Sequence, residues 1–115
     1  MLSDSPLVLK NSNVIAFSYN WNNKLNNNAF TTFRLHNPNK YKEGMVYKIY
    51  LKDKYLFDAK IIDIKVLKLD KINDFISYLD TGYSKEEFLN IIKKMYKKIE
   101  NLEDQLFDLI LLKRV

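Results

Sequence analysis

Phe30-Thr31-Thr32-Phe33-Arg34-Leu35-His36, followed by Tyr41-Lys42-Glu43-Gly44-Met45-Val46-Tyr47, is the stretch on which the fold turns. The first run is β-branched and aromatic, a composition that suits a pleated, half-buried surface. Gly44 then offers a turn into another strand. Within the first run sit two adjacent hydroxyls and Arg34, one of only two arginines in a lysine-rich chain. A guanidinium is planar and always charged, and its fork of donors fits a phosphate, a carboxylate or a base edge. The same side chain can serve as a structural ion-pair partner beside two strand-forming threonines, so both roles stay open here.

Outward from that stretch, periodicity supplies the remaining elements. Val14 to Tyr19 and Phe30 to Leu35 are predicted strands. Met45, Tyr47, Ile49 and Leu51 alternate with Val46, Lys48, Tyr50 and Lys52, the period of a half-buried strand. Lys52-Asp53-Lys54 makes a hairpin turn into a long strand from Tyr55 to Leu69. Ile62, Ile64 and Val66 share one face of it while Leu67 and Leu69 fall on the other, which calls for a bulge or bend. Residues 20–28 are asparagine-rich and predict a short helical turn within a loop, pinned by Trp21 and Leu25. Asp70 is a candidate cap for a first helix with Ile72, Phe75, Ile76 and Leu79 on its apolar stripe. Ser84 and Glu87 form a capping box for a second, striped by Phe88, Ile91, Ile92, Met95, Tyr96 and Ile99. Its opposite face holds Lys93, Lys94, Lys97 and Lys98. Leu106 to Leu112 is apolar enough to be a central closing strand. The order is strand, short helix, four or so strands, two helices, strand. That is α+β: a small curled sheet or barrel of mostly antiparallel strands with two helices late in the chain.

The 115 residues form one domain with an N-terminal tail over 1–12. Without cysteine, disulfides, thiolate catalysis and zinc-thiolate sites are excluded, and the lone His36 cannot make a His-rich metal site. No cofactor or metal is expected. No signal peptide or membrane span is visible, and a cysteine-free chain fits a reducing cytoplasm. The net charge of +5 favours polyanions. Abundant Lys, Asn, Ile, Tyr and Phe with scarce Gly, Ala, Arg and Pro also marks AT-rich codons, so where the charge sits matters more than its sum. Asp53, Asp58 and Asp63 are spaced five apart, share no face and suit hydrated surface charge.

The ordered set of short motifs resembles the ASCH domain, of the PUA-like β-barrel superfamily. Thr32-Phe33-Arg34 is similar to that family's Thr-hydrophobic-Arg strand. Tyr41-Lys42-Glu43-Gly44-Met45-Val46 is similar to its glycine turn, and Ala59-Lys60-Ile61-Ile62-Asp63-Ile64 to the strand after it. Asp80-Thr81-Gly82-Tyr83-Ser84 with Glu87-Phe88 is similar to its acidic-Gly-aromatic turn, and Phe107-Asp108-Leu109-Ile110-Leu111-Leu112 to its closing strand. The resemblance covers about 13 to 113. It implies a groove for RNA or a nucleoside.

One bacterial branch of that family hydrolyses the acetyl amide of acetylcytidine with a lysine, a threonine and a glutamate, on a strand reading Lys-Thr-hydrophobic-Thr-hydrophobic-Arg. In this chain Thr32 and Arg34 carry over. Ala29 stands at the lysine position and Phe30 at the first threonine. The acidic position is Asp80 with a one-residue gap or Thr81 without one. Lys24, five residues before Ala29, is the lysine that would have to substitute from the Asn-rich loop.

With Ala29 unable to act as a base, the expected function is non-catalytic binding of RNA or a nucleoside-like ligand. Arg34 would supply the charge, Thr31 and Thr32 the hydroxyls, and Trp21 and Tyr83 the walls, with Lys24 and Asp80 beside them. Lys93, Lys94, Lys97 and Lys98 would track a phosphate backbone. The alternatives are an amidohydrolase with a rearranged site and a protein-interaction scaffold.

Overall fold

The computed structural model describes residues 13–115, so the expected tail over 1–12 lies outside the described residues. The strands are β1 (Val14–Phe17), apolar and buried throughout, β2 (Ala29–Leu35), β3 (Val46–Leu51), β4 (Lys54–Leu67) and β5 (Phe107–Arg114). Between β4 and β5 come α1 (Asp74–Thr81) and α2 (Lys85–Met95), with 3-10 turns at Trp21–Asn26, Leu69–Lys71 and Leu102–Asp104. Three strands, not four, separate the first 3-10 turn from the helices.

The strands form one curled, mixed sheet in the order β1-β3-β4-β5-β2. β1 runs parallel to β3, and the other three pairings are antiparallel. The closing strand is central, as its apolar composition predicts. Lys52 takes a left-handed turn (φ 56°) between β3 and β4. Along β4 the pairing with β5 slips between Ile61 and Asp63, leaving Ile62 over as the extra residue of a bulge. The expected irregularity is present but lies earlier than the change of face between Val66 and Leu67, where the register is regular, and Leu69 falls beyond the strand in the 3-10 turn.

Each face of the sheet has its own core. The concave face buries Ile15, Phe17, Phe30, Tyr47, Ile49, Ile61, Ile110 and Leu112. The convex face carries Phe33 and Phe107, stacked at 4.8 Å with ring planes 9° apart, beneath Phe88 and Ile92 of α2. Each such side chain contributes about 1.5–3 kcal/mol when fully buried. α2 starts where the capping box places it. Ser84 Oγ accepts from the Glu87 amide at 3.3 Å and donates to Glu87 Oε1 at 3.2 Å.

The first helix departs from expectation twice. Its cap is Asn73, whose Oδ1 accepts from the Ile76 amide at 2.9 Å, while Asp70 belongs to the preceding 3-10 turn. Ile72 is buried with extended backbone (ψ 135°), which interrupts any helix running from Asp70. The helix is also turned over. Ser77, Asp80 and Thr81 face the body, and Phe75 (75% exposed) and Leu79 (53%) face outward. Buried polar partners, rather than the apolar stripe, orient α1. The second helix ends at Met95, so Lys97 and Lys98 lie in the turn beyond it.

Candidate functional site

β2 sends alternate side chains to opposite faces, and this divides the expected site in two. Thr32 and Arg34 point into the concave core. Arg34 Nε donates to Thr32 Oγ1 at 3.1 Å and Nη2 donates to the Ala16 carbonyl at 2.7 Å. The guanidinium lies 4.9 Å from the centre of the Phe17 ring and is 3% exposed. Ala16 belongs to β1 and Arg34 to β2, the two outer strands of the sheet order, so the arginine joins the sheet's opposite edges. The expectation of a guanidinium held open to a ligand is corrected. Curling brings β1 within its reach, and a β1 carbonyl takes the donor that a guest would have used.

Thr31 points to the convex face and meets a different partner. Its Oγ1 donates to Asp80 Oδ1 at 3.0 Å. Lys24 Nζ donates to the same oxygen at 2.8 Å. Lys24 and Asp80 are fully buried, and Asp80 Oδ2 has no hydrogen-bond partner among the described residues. The Lys24 ammonium also stands 5.4 Å from the Phe17 ring, so one ring faces both cations. Burial pushes the Lys24 pKa below its ordinary 10.5. Asp80 opposes that fall, and the Arg34 charge adds to it.

Local sequence explains how Lys24 arrives there. Asn22 and Asn23 adopt left-handed conformations (φ 56° and 52°), which asparagine tolerates better than most residues. The Leu25 amide donates to Asn20 Oδ1 at 2.9 Å, closing the turn on itself. Asn22 Nδ2 donates to the Tyr78 carbonyl at 3.2 Å and ties the turn to α1. Gly82 ends α1 in a left-handed conformation (φ 80°), and a Cβ there would come within 3.0 Å of Asn22 Oδ1. The asparagine run is thus an instrument for delivering a lysine to an acid 56 residues away.

Thr31 opens onto a groove of about 440 Å³ between α1 and the convex face, walled by Phe75, Ile76, Leu79, Leu109 and Leu111 with Asp63 and Lys65 on β4. Trp21 stacks edge-on with Tyr83 at 6.0 Å and with Tyr19 at 4.9 Å, but none of the three lines this groove. Lys93, Lys94 and Lys97 border a separate shallow cleft with Asn90, and Lys98 is not among its lining residues. Asp58 accepts from the Tyr55 hydroxyl at 2.9 Å. No group of three or more His, Asp or Glu residues suited to a metal occurs among the described residues.

Sequence reasoning missed one pairing. The buried Asp108 receives His36 Nδ1 at 2.7 Å through Oδ1 and the Asn37 amide at 3.0 Å through Oδ2. Asp108 sits within an otherwise apolar strand, and an acid in that setting was the available signal. No helix among the described residues is long and apolar enough to cross a membrane.

No family model and no curated protein matches the sequence. Among solved structures, the crystal structure of protein EF3133 from Enterococcus faecalis V583, which carries the family designation DUF984, superposes with a TM-score of 0.55. The two share 10% sequence identity over 80% of this chain and 67% of that one. At that identity the likeness is one of fold: an α+β domain built on a curled, half-barrel sheet.

Proposed function

We propose that this protein is an ASCH-like domain that holds a nucleoside-like ligand in the groove under α1 and hydrolyses an amide on it. The substrate class implied by the resemblance is acetylated cytidine. One observation carries this reading: a single buried oxygen, Asp80 Oδ1, receives both the Thr31 hydroxyl and the Lys24 amine. Ala29 leaves the strand without a base, and Lys24 from the asparagine-rich turn takes its place. This puts the amidohydrolase, one of the sequence-level alternatives, ahead of the expected non-catalytic binding, and Thr31 replaces Thr32 as the reacting hydroxyl because Thr32 is fully buried under Arg34.

A threonine hydroxyl is a weak nucleophile until a base removes its proton, and a desolvated lysine amine is such a base. In the proposed reaction Thr31 Oγ1 attacks the acetyl carbonyl carbon. Its proton passes through Asp80 to the Lys24 amine, which must act in its unprotonated form, the form that burial favours. The carbon–nitrogen bond breaks and that proton returns through Asp80 to the departing amine. Water then cleaves the acetyl-threonine ester, releasing acetate. Phe75, Leu79 and Leu111 supply apolar walls for a base.

The test is conversion of N4-acetylcytidine to cytidine, followed chromatographically. Thr31→Val keeps the side-chain shape and is expected to lower turnover by about 10²-fold or more. Wild-type protein that neither releases cytidine nor binds the acetylated nucleoside by calorimetry overturns the reading. Binding without release returns the site to the non-catalytic alternative.

A further inference from the structure

β4 outruns its neighbour β3. The two strands pair only as far as Lys60, opposite Val46. The chain just before β3 covers one residue more: Gly44 donates to the Ile61 carbonyl at 2.8 Å, and the Ile61 amide donates to the Met45 carbonyl at 3.0 Å. From Ile62 to Leu67, β4 has β5 on one side and no strand on the other among the described residues. On that open side the Ile64 amide donates to an exposed side chain, Glu43 Oε1, at 3.3 Å. An edge of this kind is a template for another strand. Its side chains are not those of a blunted edge. Ile62 is 46% exposed and Val66 49%, and the exposed Asp63 and Lys65 have no ion-pair partner among the described residues.

Ile62-Asp63-Ile64-Lys65-Val66 complements itself when laid against its own reverse. An antiparallel pairing centred on Ile64 sets Asp63 against the partner's Lys65 and Lys65 against the partner's Asp63. Ile62 and Val66 then cover each other across the pair. A two-fold axis demands this reciprocity, since a contact of one residue with another is repeated in reverse. Directly opposed side chains stand about 4.5–5.5 Å apart at Cβ, within reach of both ion pairs. Centring the pairing on Asp63 or on Lys65 would set like charges together, so the charges also fix the register. We propose that this open edge of β4 pairs with the same edge of a second copy of the chain, forming a two-fold dimer with one sheet running through both. The Ile64 amide then passes from Glu43 to the partner's Ile64 carbonyl. The bulge at Ile62 bounds the ladder on one side and the 3-10 turn from Leu69 on the other, so the ladder is short and the dimer reversible. The dimer does not depend on the proposed hydrolysis.

Sedimentation velocity of the full-length chain, from micromolar to millimolar concentration, tests this. A monomer–dimer equilibrium is expected. Lys65→Asp sets acid against acid twice and should weaken dimerisation about tenfold or more. Asp63→Lys should do the same with lysines. Both side chains are exposed, so circular dichroism should show each variant folded. Mixing the two variants rebuilds both ion pairs and should give a heterodimer. The double swap Asp63→Lys with Lys65→Asp should dimerise as the wild type does. Glu43→Ala frees the Ile64 amide and should tighten the dimer. A chain that stays monomeric throughout overturns the proposal. A dimer unchanged in Lys65→Asp also overturns it and moves the contact to another face, such as the exposed Phe75 and Leu79 of α1. So does a double swap that fails to recover the association lost in the single variants.

Discussion

Lys24 and Arg34 face the same phenyl ring from different surroundings, and substitutions should separate their roles. Removing the amine in Lys24→Met strands Asp80 as a buried, uncompensated acid. Breaking a buried pair in this way costs about 3–5 kcal/mol, so a large drop in the urea midpoint is expected. Thr31→Val removes a hydroxyl at a partly exposed position and should cost less than about 1.5 kcal/mol. A pH series tests the amine more directly. Its folded-state pKa lies below the ordinary 10.5, so between those two values the unfolded chain binds more protons than the folded one. Stability from this group therefore rises with pH across that window and is flat below it. Lys24→Met should lose that component in denaturation curves measured between neutral and alkaline pH. Turnover should rise over the same lowered value if the neutral amine is the base. Neither behaviour was legible in the sequence. Lys24 and Asp80 are 56 residues apart, and His36 and Asp108 are 72 apart, so only tertiary structure pairs them.

At the scale of elements, what local chemistry specifies was readable and what a distant partner specifies was not. The Ser84–Glu87 box and the stripe from Phe88 onward placed α2 correctly, because cap and stripe lie within one helix. A bulge in β4 was anticipated, but not its place: the pairing slips at Ile62, while the register through Val66 and Leu67 is regular. The apolar stripe of α1 misled, since Asp80, Ser77 and Thr81 turn toward the body and leave Phe75 and Leu79 as a wall of the groove. Asn73→Ala should cost about 1 kcal/mol through loss of the cap. Gly82→Ala should be worse than a cap loss. It forces a Cβ into a left-handed conformation and against Asn22, the residue tying the lysine-bearing turn to α1. The Thr31 signal should shift in its NMR spectrum as the 20–26 turn moves away from α1.

For the whole molecule, the sheet order places β1 and β2 at its ends, and Arg34 joins them through the Ala16 carbonyl. Arg34→Ala removes the charge-assisted hydrogen bonds to Thr32 and Ala16, each of a kind that contributes about 1.5–3 kcal/mol, so a clear loss of stability is expected. It should also accelerate amide hydrogen exchange in β1 ahead of the rest of the sheet. Exchange rising uniformly would mean that the arginine does not hold the edge. The sequence pointed to Arg34 as a placed residue and to a curled sheet, but not to the use of one to fasten the other. A last consequence follows from the position of β5 between β4 and β2. During synthesis β1 to β4 and both helices leave the ribosome before the strand on which β2 depends, so that edge has no ladder to join. The nascent chain therefore holds β2 without its strand partner until residues 107–114 emerge, so that edge of the sheet is the last to close.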